Sequence, residues 1–543
     1  MESTMWESPL LVTEILRHGT TVCADQTVTT ATADGYRMAR FDEIGRRTAQ
    51  LAHGLRSLGI SGDQRVATFM WNNQEHLEAF FAVPCMGAVL HTLNIRLASE
   101  QISYIATQAE DQVVLVNQSL LPLLGQVLPK LDTVHTVVVV GDGDVDTLTP
   151  SSKNIVRYDD LLAGQPTAFN WPDLSETSAA AMCYTSGTTG DPKGIVYSHR
   201  STFLHTLAVC TPNAMAINAG DQILPIVPMF HANAWGLPYA AMMAGASLVM
   251  TDRYLQPNRL VDMIEQHKVT IAAAVPTIIN DVKCYLDDHA DHDVSSLRLI
   301  PCGGSAVPHS LMREFQEDYG VPIRQAWGMT ETSPLAAMAW PPANIADNEH
   351  WQLRNTAGRP VCGVEARIVG DDGRTLPHDG KSVGELEVRG NWVTASYFGD
   401  QRSPCSDDGW LRTGDVGSID SRGFITLTDR AKDVIKSGGE WISSVELENH
   451  IMAHRAVVEA CVVAVPDPRW QERPLAAVVL DNDVDVTPAE LRDFLSQRVP
   501  RWQLPERWTF VDGVPRTSVG KFDKKAVRSQ YERRLYDVII CHD

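Results

Sequence analysis

The run Tyr184-Thr-Ser-Gly-Thr-Thr-Gly-Asp-Pro-Lys-Gly194 is the part of the sequence best equipped for chemistry. Three glycines allow a backbone to approach a ligand closely. The hydroxyls of Thr185, Ser186, Thr188 and Thr189 supply donors around Gly187, and Lys193 supplies positive charge. Such a loop suits a polyphosphate. It is not a Walker A loop, which needs Gly, four residues, then Gly-Lys-Ser/Thr; position 192 is Pro where the second Gly belongs. Composition alone would fit a flexible polar linker. Pro192 and Lys193 between two strand-like runs argue instead for a built loop.

Elements able to hold such a loop surround it. Ile44, Thr48, Leu51, Leu55 and Leu58 step by four and three, which predicts a helix face ending at Gly59. The runs 66–70, 113–117 and 136–141 read as buried strands, so helix and strand alternate in the manner of α/β architecture. From about 360 to 428, short β-rich runs are separated by Asp372-Gly373, Asp379-Gly380 and Asp408-Gly409, which are hairpin signals. A small charged module follows. Its helix starts carry capping-box spacing, Ser443 with Glu446 and Thr487 with Glu490, the latter followed by Pro488. A boundary near Asp429 divides the chain into residues 1–429 and 430–543.

Other motifs stand in a fixed order after the loop: Gly303-Gly304-Ser305-Ala306, Ala326-Trp327-Gly328-Met329-Thr330-Glu331, and Gly409-Trp-Leu-Arg-Thr-Gly-Asp415. Then come Asp429-Arg430-Ala-Lys432-Asp433-Val-Ile-Lys436-Ser-Gly-Gly-Glu-Trp441 and Pro515-Arg-Thr-Ser-Val-Gly-Lys521. Together with the loop, these resemble the signatures of the adenylate-forming superfamily across nearly the whole chain. That superfamily includes acyl-CoA synthetases, the adenylation domains of peptide synthetases and beetle luciferases. The stretches VPMFHANAWGLPYA and IKSGGEWISSVELEN are most similar to bacterial medium- and long-chain fatty acyl-CoA synthetases; ligases of short sulfur-containing acids such as methylthiopropionate are also similar.

The resemblance implies an α/β fold: a large N-terminal domain of two α/β subdomains with a small β-barrel-like segment, and a small mobile C-terminal α+β domain. It implies an AMP-forming ligase that activates a carboxylic acid with ATP and Mg²⁺ and passes the acyl group to coenzyme A. Residues Thr185, Ser186, Gly187, Thr188, Thr189 and Lys193 would hold the β- and γ-phosphates, Glu331 with Thr185 the metal, and Thr330 the α-phosphate. Around the adenine it places Gly304, Ser305, Ala306, Trp327 and Gly328; Trp327 stands where many relatives have Tyr, which keeps a stacking face and loses a hydroxyl. Asp415 would accept from the ribose hydroxyls with help from Arg430. Lys521 would be catalytic, stabilising charge as pyrophosphate departs. His231 and Trp235 would border the acid, beside Gly304. Lys432 would be a hinge and, with Trp441, part of the cofactor-binding set; catalytic Lys436, with Ser437, Gly438 and Gly439 for CoA, would belong to a second, thioester-forming face.

Attack by a carboxylate on the α-phosphorus needs no strong base, since the nucleophile is already ionised. Cations and oriented donors should dominate. The formal net charge of −21, from 46 Lys plus Arg and 67 Asp plus Glu, disfavours nucleic acid and anionic membrane as partners, so anionic substrates need a local basic site. No apolar run approaches the roughly 18 residues needed to span a bilayer, and the ten cysteines include no C-x-x-C pair. The chain reads as a cytoplasmic protein, and relatives that dimerise make a homodimer an expectation. Rival readings are an acyl-AMP ligase that loads a carrier protein and a nucleotide-binding regulator without turnover. No extra segment before the hinge favours the first, and keeping both Glu331 and Lys521 speaks against the second.

Overall fold

The valine-rich runs become the middle of a seven-stranded sheet. Its order is Asn154–Arg157, Thr136–Val140, Asp111–Asn117, Arg65–Phe69, Val89–Thr92, Ala179–Tyr184 and Gly194–Ser198. All neighbours are parallel except the last pair. Residues 113–116 and 137–139 are fully buried, as expected of strands covered on both faces. The computed structural model describes every residue except 2, 149–151, 186–190, 401–402, 431, 438–439, 482–483, 485, 518–520 and 542–543, and excepting also the side chains of Glu440 and Trp441.

The predicted helix spans Phe41–Ser57 and buries Ile44, Thr48, Leu51 and Leu55. Leu58 caps it, and Gly59 follows at φ 92°. A second sheet orders Ile271–Ala273, Gln222–Pro225, Ser247–Met250, Thr27–Ala31 and Tyr36–Arg40. A third pairs Ile300–Gly303 in parallel with Ile323–Gly328, then continues antiparallel through Leu335–Met338 and Arg359–Pro360. Parallel bridges Ile271↔Leu299 and Ala274↔Cys302 join the second and third sheets. The carboxyl ends of these strands deliver the loops of interest, where open α/β sheets bind ligands.

Residues 364–430 form an antiparallel four-stranded sheet from Val364–Val369, Gly384–Gly390, Leu411–Ile419 and Ile425–Arg430. Among the described residues this sheet stays open and does not close into a barrel. Gly373, Gly380 and Gly409 take φ of 77°, 71° and 84°, the left-handed geometry that suits glycine at those turns.

From residue 435 onward a separate six-stranded sheet forms. Two hydrophobic clusters draw only on that stretch, one around Trp508 and one around Cys461 and Val527. Thr487 and Glu490 make the reciprocal capping box. Ser443 caps its helix one way only: its oxygen accepts from the Glu446 N–H at 3.1 Å while its own hydroxyl donates to Thr428 O. The tail, uninterpretable as sequence, adds Ile539–Ile540 as an edge strand beside Arg507–Phe510. All ten cysteines are free thiols, and four are buried.

Trp508 is fully buried and donates to Pro505 O at 3.1 Å. Trp508→Ala should cost about 3–5 kcal/mol in this C-terminal core. Scanning calorimetry should show one transition lowered and the transition of the larger part unmoved; a uniform drop would mean the two parts share a core.

Candidate active site

The ends of the hydroxyl-rich loop are stitched together by the edge-strand pairing that carries them. The Thr185 N–H donates to Lys193 O at 3.0 Å, and the Lys193 N–H donates back to Thr185 Oγ1 at 3.0 Å. A side chain at Gly194 would be tight: a Cβ would stand 3.0 Å from Tyr184 Cζ and 3.1 Å from Phe398 Cβ. Ser186, Gly187, Thr188 and Thr189 lie outside the described residues. The Lys193 ammonium sits 4.4 Å from the Tyr397 ring centroid, and Tyr397 Oη donates to Glu331 Oε1 at 3.0 Å. Tyr397 thus joins the loop's cation to the expected metal carboxylate. A cavity of about 370 Å³ borders Glu331, with Ser198, Ser333, Thr394 and Tyr397 in its wall.

Thr330 and Glu331 are buried at the end of the strand Ile323–Gly328, where Tyr197 Oη donates to Thr330 O at 2.8 Å. Gly328 admits no side chain, since a Cβ would fall 1.8 Å from Pro334 O. A register shift between Trp327 and Gly328 marks the same close approach. Among the described residues no group of three or more His, Cys, Asp or Glu could hold a metal. Glu331 is a lone carboxylate beside a phosphate-type loop. That fits Mg²⁺, which usually takes one or two carboxylates plus substrate phosphates.

Asp415 is bracketed on both oxygens. Oδ1 pairs with Arg430 Nε at 2.6 Å and Oδ2 accepts from Trp327 Nε1 at 2.9 Å. The indole N–H therefore does what the sequence left unassigned when Trp replaced Tyr: it fixes the carboxylate. About four lone-pair sites on a carboxylate leave two for a diol. The Asp415↔Arg430 register across adjacent strands sets this pair.

Lys521 comes from the far end of the chain to the same place. Its Cε lies 3.6 Å from where a Cβ on Gly304 would stand, and Gly304 has φ of 90°. The Thr517 N–H donates to Lys521 O at 2.7 Å and the Lys521 N–H donates to Thr517 Oγ1 at 3.2 Å, closing the turn that presents the lysine. Burial lowers the Lys521 ammonium to about 8; Arg430 and Lys432 push the same way while Asp415 and Glu331 oppose them. Burial, with Lys521 nearby, lowers His231 to about 4, so its imidazole is neutral.

Next to His231 the backbone does something that no residue pattern announced. Ala232, Asn233, Ala234, Trp235 and Gly236 all take positive φ, from 42° to 76°. Four of them carry a Cβ, and left-handed geometry costs roughly 1–2 kcal/mol at each such residue. The run is held by Cys183 Sγ donating to Asn233 Oδ1 at 3.2 Å, and it sets the Trp235 ring 3.5 Å from a Cβ position on Gly303. A Cβ on Gly236 would meet His205 Nδ1 at 2.9 Å, and His205 Nε2 accepts from the Leu335 N–H at 3.1 Å.

The family model for AMP-binding enzymes matches residues 20–398, and that for their C-terminal domain matches residues 446–521. The chain belongs to the AMP-binding enzyme family. A 3-methylmercaptopropionyl-CoA ligase of Ruegeria pomeroyi is 41% identical over 97% of this chain and 98% of that protein. A long-chain-fatty-acid CoA ligase of Thermus thermophilus is 43% identical over 91% of this chain and 90% of its own length. The crystal structure of an anthranilate CoA ligase in complex with anthranoyl-AMP superposes with a TM-score of 0.87 at 26% identity, covering 98% of this chain and 100% of that one. This chain is thus an adenylate-forming acyl-CoA ligase.

In the ligase the two groups of expected site residues separate. Lys193, Gly304, Trp327, Glu331, Asp415, Arg430, Lys432 and Lys521 are linked by the contacts and charge interactions above. Ser305 is exposed and Ala306 half-buried beside Gly304. Lys436 is not part of this group: its side chain is exposed, and its N–H donates to Glu472 Oε2 at 2.7 Å. Ser437 is buried and accepts from Arg473 Nη1 at 3.0 Å. Gly438, Gly439 and the Trp441 side chain lie outside the described residues. Sequence reasoning missed Tyr397, Tyr197 and His205, because nothing around a lone Tyr or His says which loop it reaches. No helix among the described residues is long and apolar enough to cross a membrane.

With Lys521 lowered to about 8, its proton is present below that pH and lost above it. In the ligase, kcat/KM for ATP in acid-dependent pyrophosphate release should therefore fall as pH rises through about 8, while kcat falls later because bound phosphates hold the proton. Lys521→Arg should flatten the kcat/KM profile. A wild-type profile that stays level well beyond that pH contradicts the assignment.

Proposed function

We propose that this acyl-CoA ligase activates a medium- to long-chain fatty acid as its acyl-adenylate and then forms the CoA thioester. The observation that carries the reading is Lys521 held beside Gly304, within charge range of Asp415 and Glu331. A carboxylate oxygen attacks the α-phosphorus, a new P–O bond forms, and the bond to the β-phosphate oxygen breaks to release pyrophosphate. Lys521 offsets the charge that builds at that step. Thr185 to Thr189 and Lys193 cradle the β- and γ-phosphates, and Thr330 meets the α-phosphate. Glu331 with Thr185 would hold Mg²⁺, which neutralises phosphate charge when bound.

Asp415 accepts the ribose hydroxyls on its two remaining faces, with Arg430 fixing its orientation. Gly304, Ser305, Ala306, Trp327 and Gly328 surround the adenine. His231 is neutral and adjoins Lys521, so it can donate one hydrogen bond to the acid without adding charge. Rotation at Lys432 would then exchange Lys521 for Lys436, Ser437, Gly438 and Gly439. The CoA sulfur attacks the acyl carbon, AMP leaves, and the thiol proton goes to solvent.

What supports an aliphatic acid is the long-chain relative, together with two apolar side chains beside the Lys521 position: Trp235 stands 3.5 Å from a Cβ position on Gly303 and Val275 3.4 Å from one on Gly304. A second reading, a short methylthio acid, is favoured by the methylmercaptopropionyl relative. The ligase would act in the cytoplasm as a homodimer.

A panel of acids from propionate to palmitate, assayed for AMP and pyrophosphate, should peak at medium or long chains. A peak at methylthiopropionate selects the second reading, and ADP as product sinks both. Lys436→Ala should lower CoA-thioester formation by roughly a hundredfold yet leave acid-dependent ATP–pyrophosphate exchange near normal. Equal loss of both steps would reject two alternating faces.

A further inference from the structure

In a chain of net charge −21, three guanidiniums gather around two tryptophans with little carboxylate to neutralise them. Arg354 ends the helix Asp347–Arg354, is 2% exposed, and lies 4.1 Å from the Trp351 ring centroid. Arg313, on the helix His309–Tyr319, lies 4.7 Å from the same centroid. Arg324, on the strand Ile323–Gly328, is half-buried and 4.9 Å from the Trp340 centroid. Hydrogen bonding leaves them incomplete. Arg354 donates to Ile323 O at 3.0 Å and Gln316 Oε1 at 3.4 Å, but its Nε has no partner among the described residues. Arg324 Nε and Nη1 are enclosed and likewise without partners there.

Charge is unbalanced as well. Among the described residues no carboxylate lies within ion-pair distance of Arg324 or Arg354; Arg313 reaches Glu317 only at 3.8 Å, and Glu349 is taken by Arg422 at 2.9 Å. The nearby histidines add no negative charge, since His309 Nε2 accepts from Arg313 Nε at 3.2 Å. Burial lowers Arg354 to about 9, with Arg324 and Arg313 adding repulsion, and lowers Arg324 to about 10. A guanidinium does not give up its proton in a protein, so this is an uncompensated cationic charge. Stacking on indole relieves part of it.

We propose that Arg313, Arg324 and Arg354 form a second anion site, distinct from the ATP site, for a phosphate or phosphate monoester. Guanidinium forks match tetrahedral oxyanions through paired N–H donors, and a dianion offsets three cations better than a single carboxylate does. Arg324 and Ala326 share one face of their strand by period-two alternation. An occupant would therefore brace the strand that carries Trp327.

The test uses the full-length protein and its Arg324→Met variant, melted with and without about 10 mM inorganic phosphate at ionic strength matched with sodium chloride. Phosphate bound at the ATP site shifts both proteins alike, so only the difference in gain counts. Wild type should gain about 2 °C more than the variant; equal gains overturn the proposal. If Arg324→Met does not fold, Arg313→Gln, whose side chain is 42% exposed, is the replacement, with the same two outcomes. Ribose 5-phosphate in a parallel arm separates the sources: a larger difference than with phosphate assigns the site to an organic monoester, a smaller one to the free ion.

Discussion

Repulsion between a carboxylate and a polyphosphate sets the terms for everything else in this molecule. The chain as a whole is acidic, so a broadly basic surface cannot collect the two anions. In the function proposed here, local cations at short range would do it instead. Lys193 comes from the loop after the strand Ala179–Tyr184, Arg430 from the end of the open antiparallel sheet, and Lys521 from a turn near the C-terminus. Each would be expensive to hold near the others without acids, and Asp415 and Glu331 are those acids. Asp415 ties Arg430 and Trp327 in one contact set, while Glu331 reaches Lys193 through Tyr397.

The fold supplies this arrangement by ending strands in the same region. The seven-stranded sheet carries the phosphate-type loop on its antiparallel edge, and the third sheet carries Gly303 and Trp327 on adjacent parallel strands at the register Gly303↔Ala326. Close packing at Gly303 and Gly328, where a Cβ would fall 2.6 Å from Ala326 O and 1.8 Å from Pro334 O, keeps both positions free of side chains. The C-terminal part adds Lys521. It is pinned to the rest through Asp429, whose Oδ2 accepts from the Ser444 N–H at 2.7 Å.

Much of this was legible as residue pattern. The helix at Phe41–Ser57, the valine-rich strands, the Asp-Gly turns and the Thr487 capping box follow from local rules, each written within a few residues. The residues that the structure brings together around Lys521, such as Glu331, Asp415 and Arg430, were legible because their motifs are short and ordered. Contacts between distant positions were not: Tyr397 to Glu331, His205 to Leu335, and the use of the Trp327 N–H all depend on tertiary placement. The left-handed run at 232–236 had little local signal: Gly236 suits that geometry and Asn233 tolerates it, while the surrounding packing imposes it on the other three. The small β segment is present at residues 364–430 as a four-stranded sheet, open among the described residues; whether its outer strands meet depends on tertiary placement and not on any local run.

The central claim is that Lys521, brought from the C-terminal part, supplies the charge that makes the anhydride attainable. Acid-dependent ATP–pyrophosphate exchange by Lys521→Ala, measured without CoA at saturating ATP, tests it most directly. The account predicts a loss of about 10²–10³ in rate with ATP affinity changed only a few fold, the signature of an interaction made in the transition state. Exchange at the wild-type rate, or a loss explained wholly by weaker ATP binding, would contradict it.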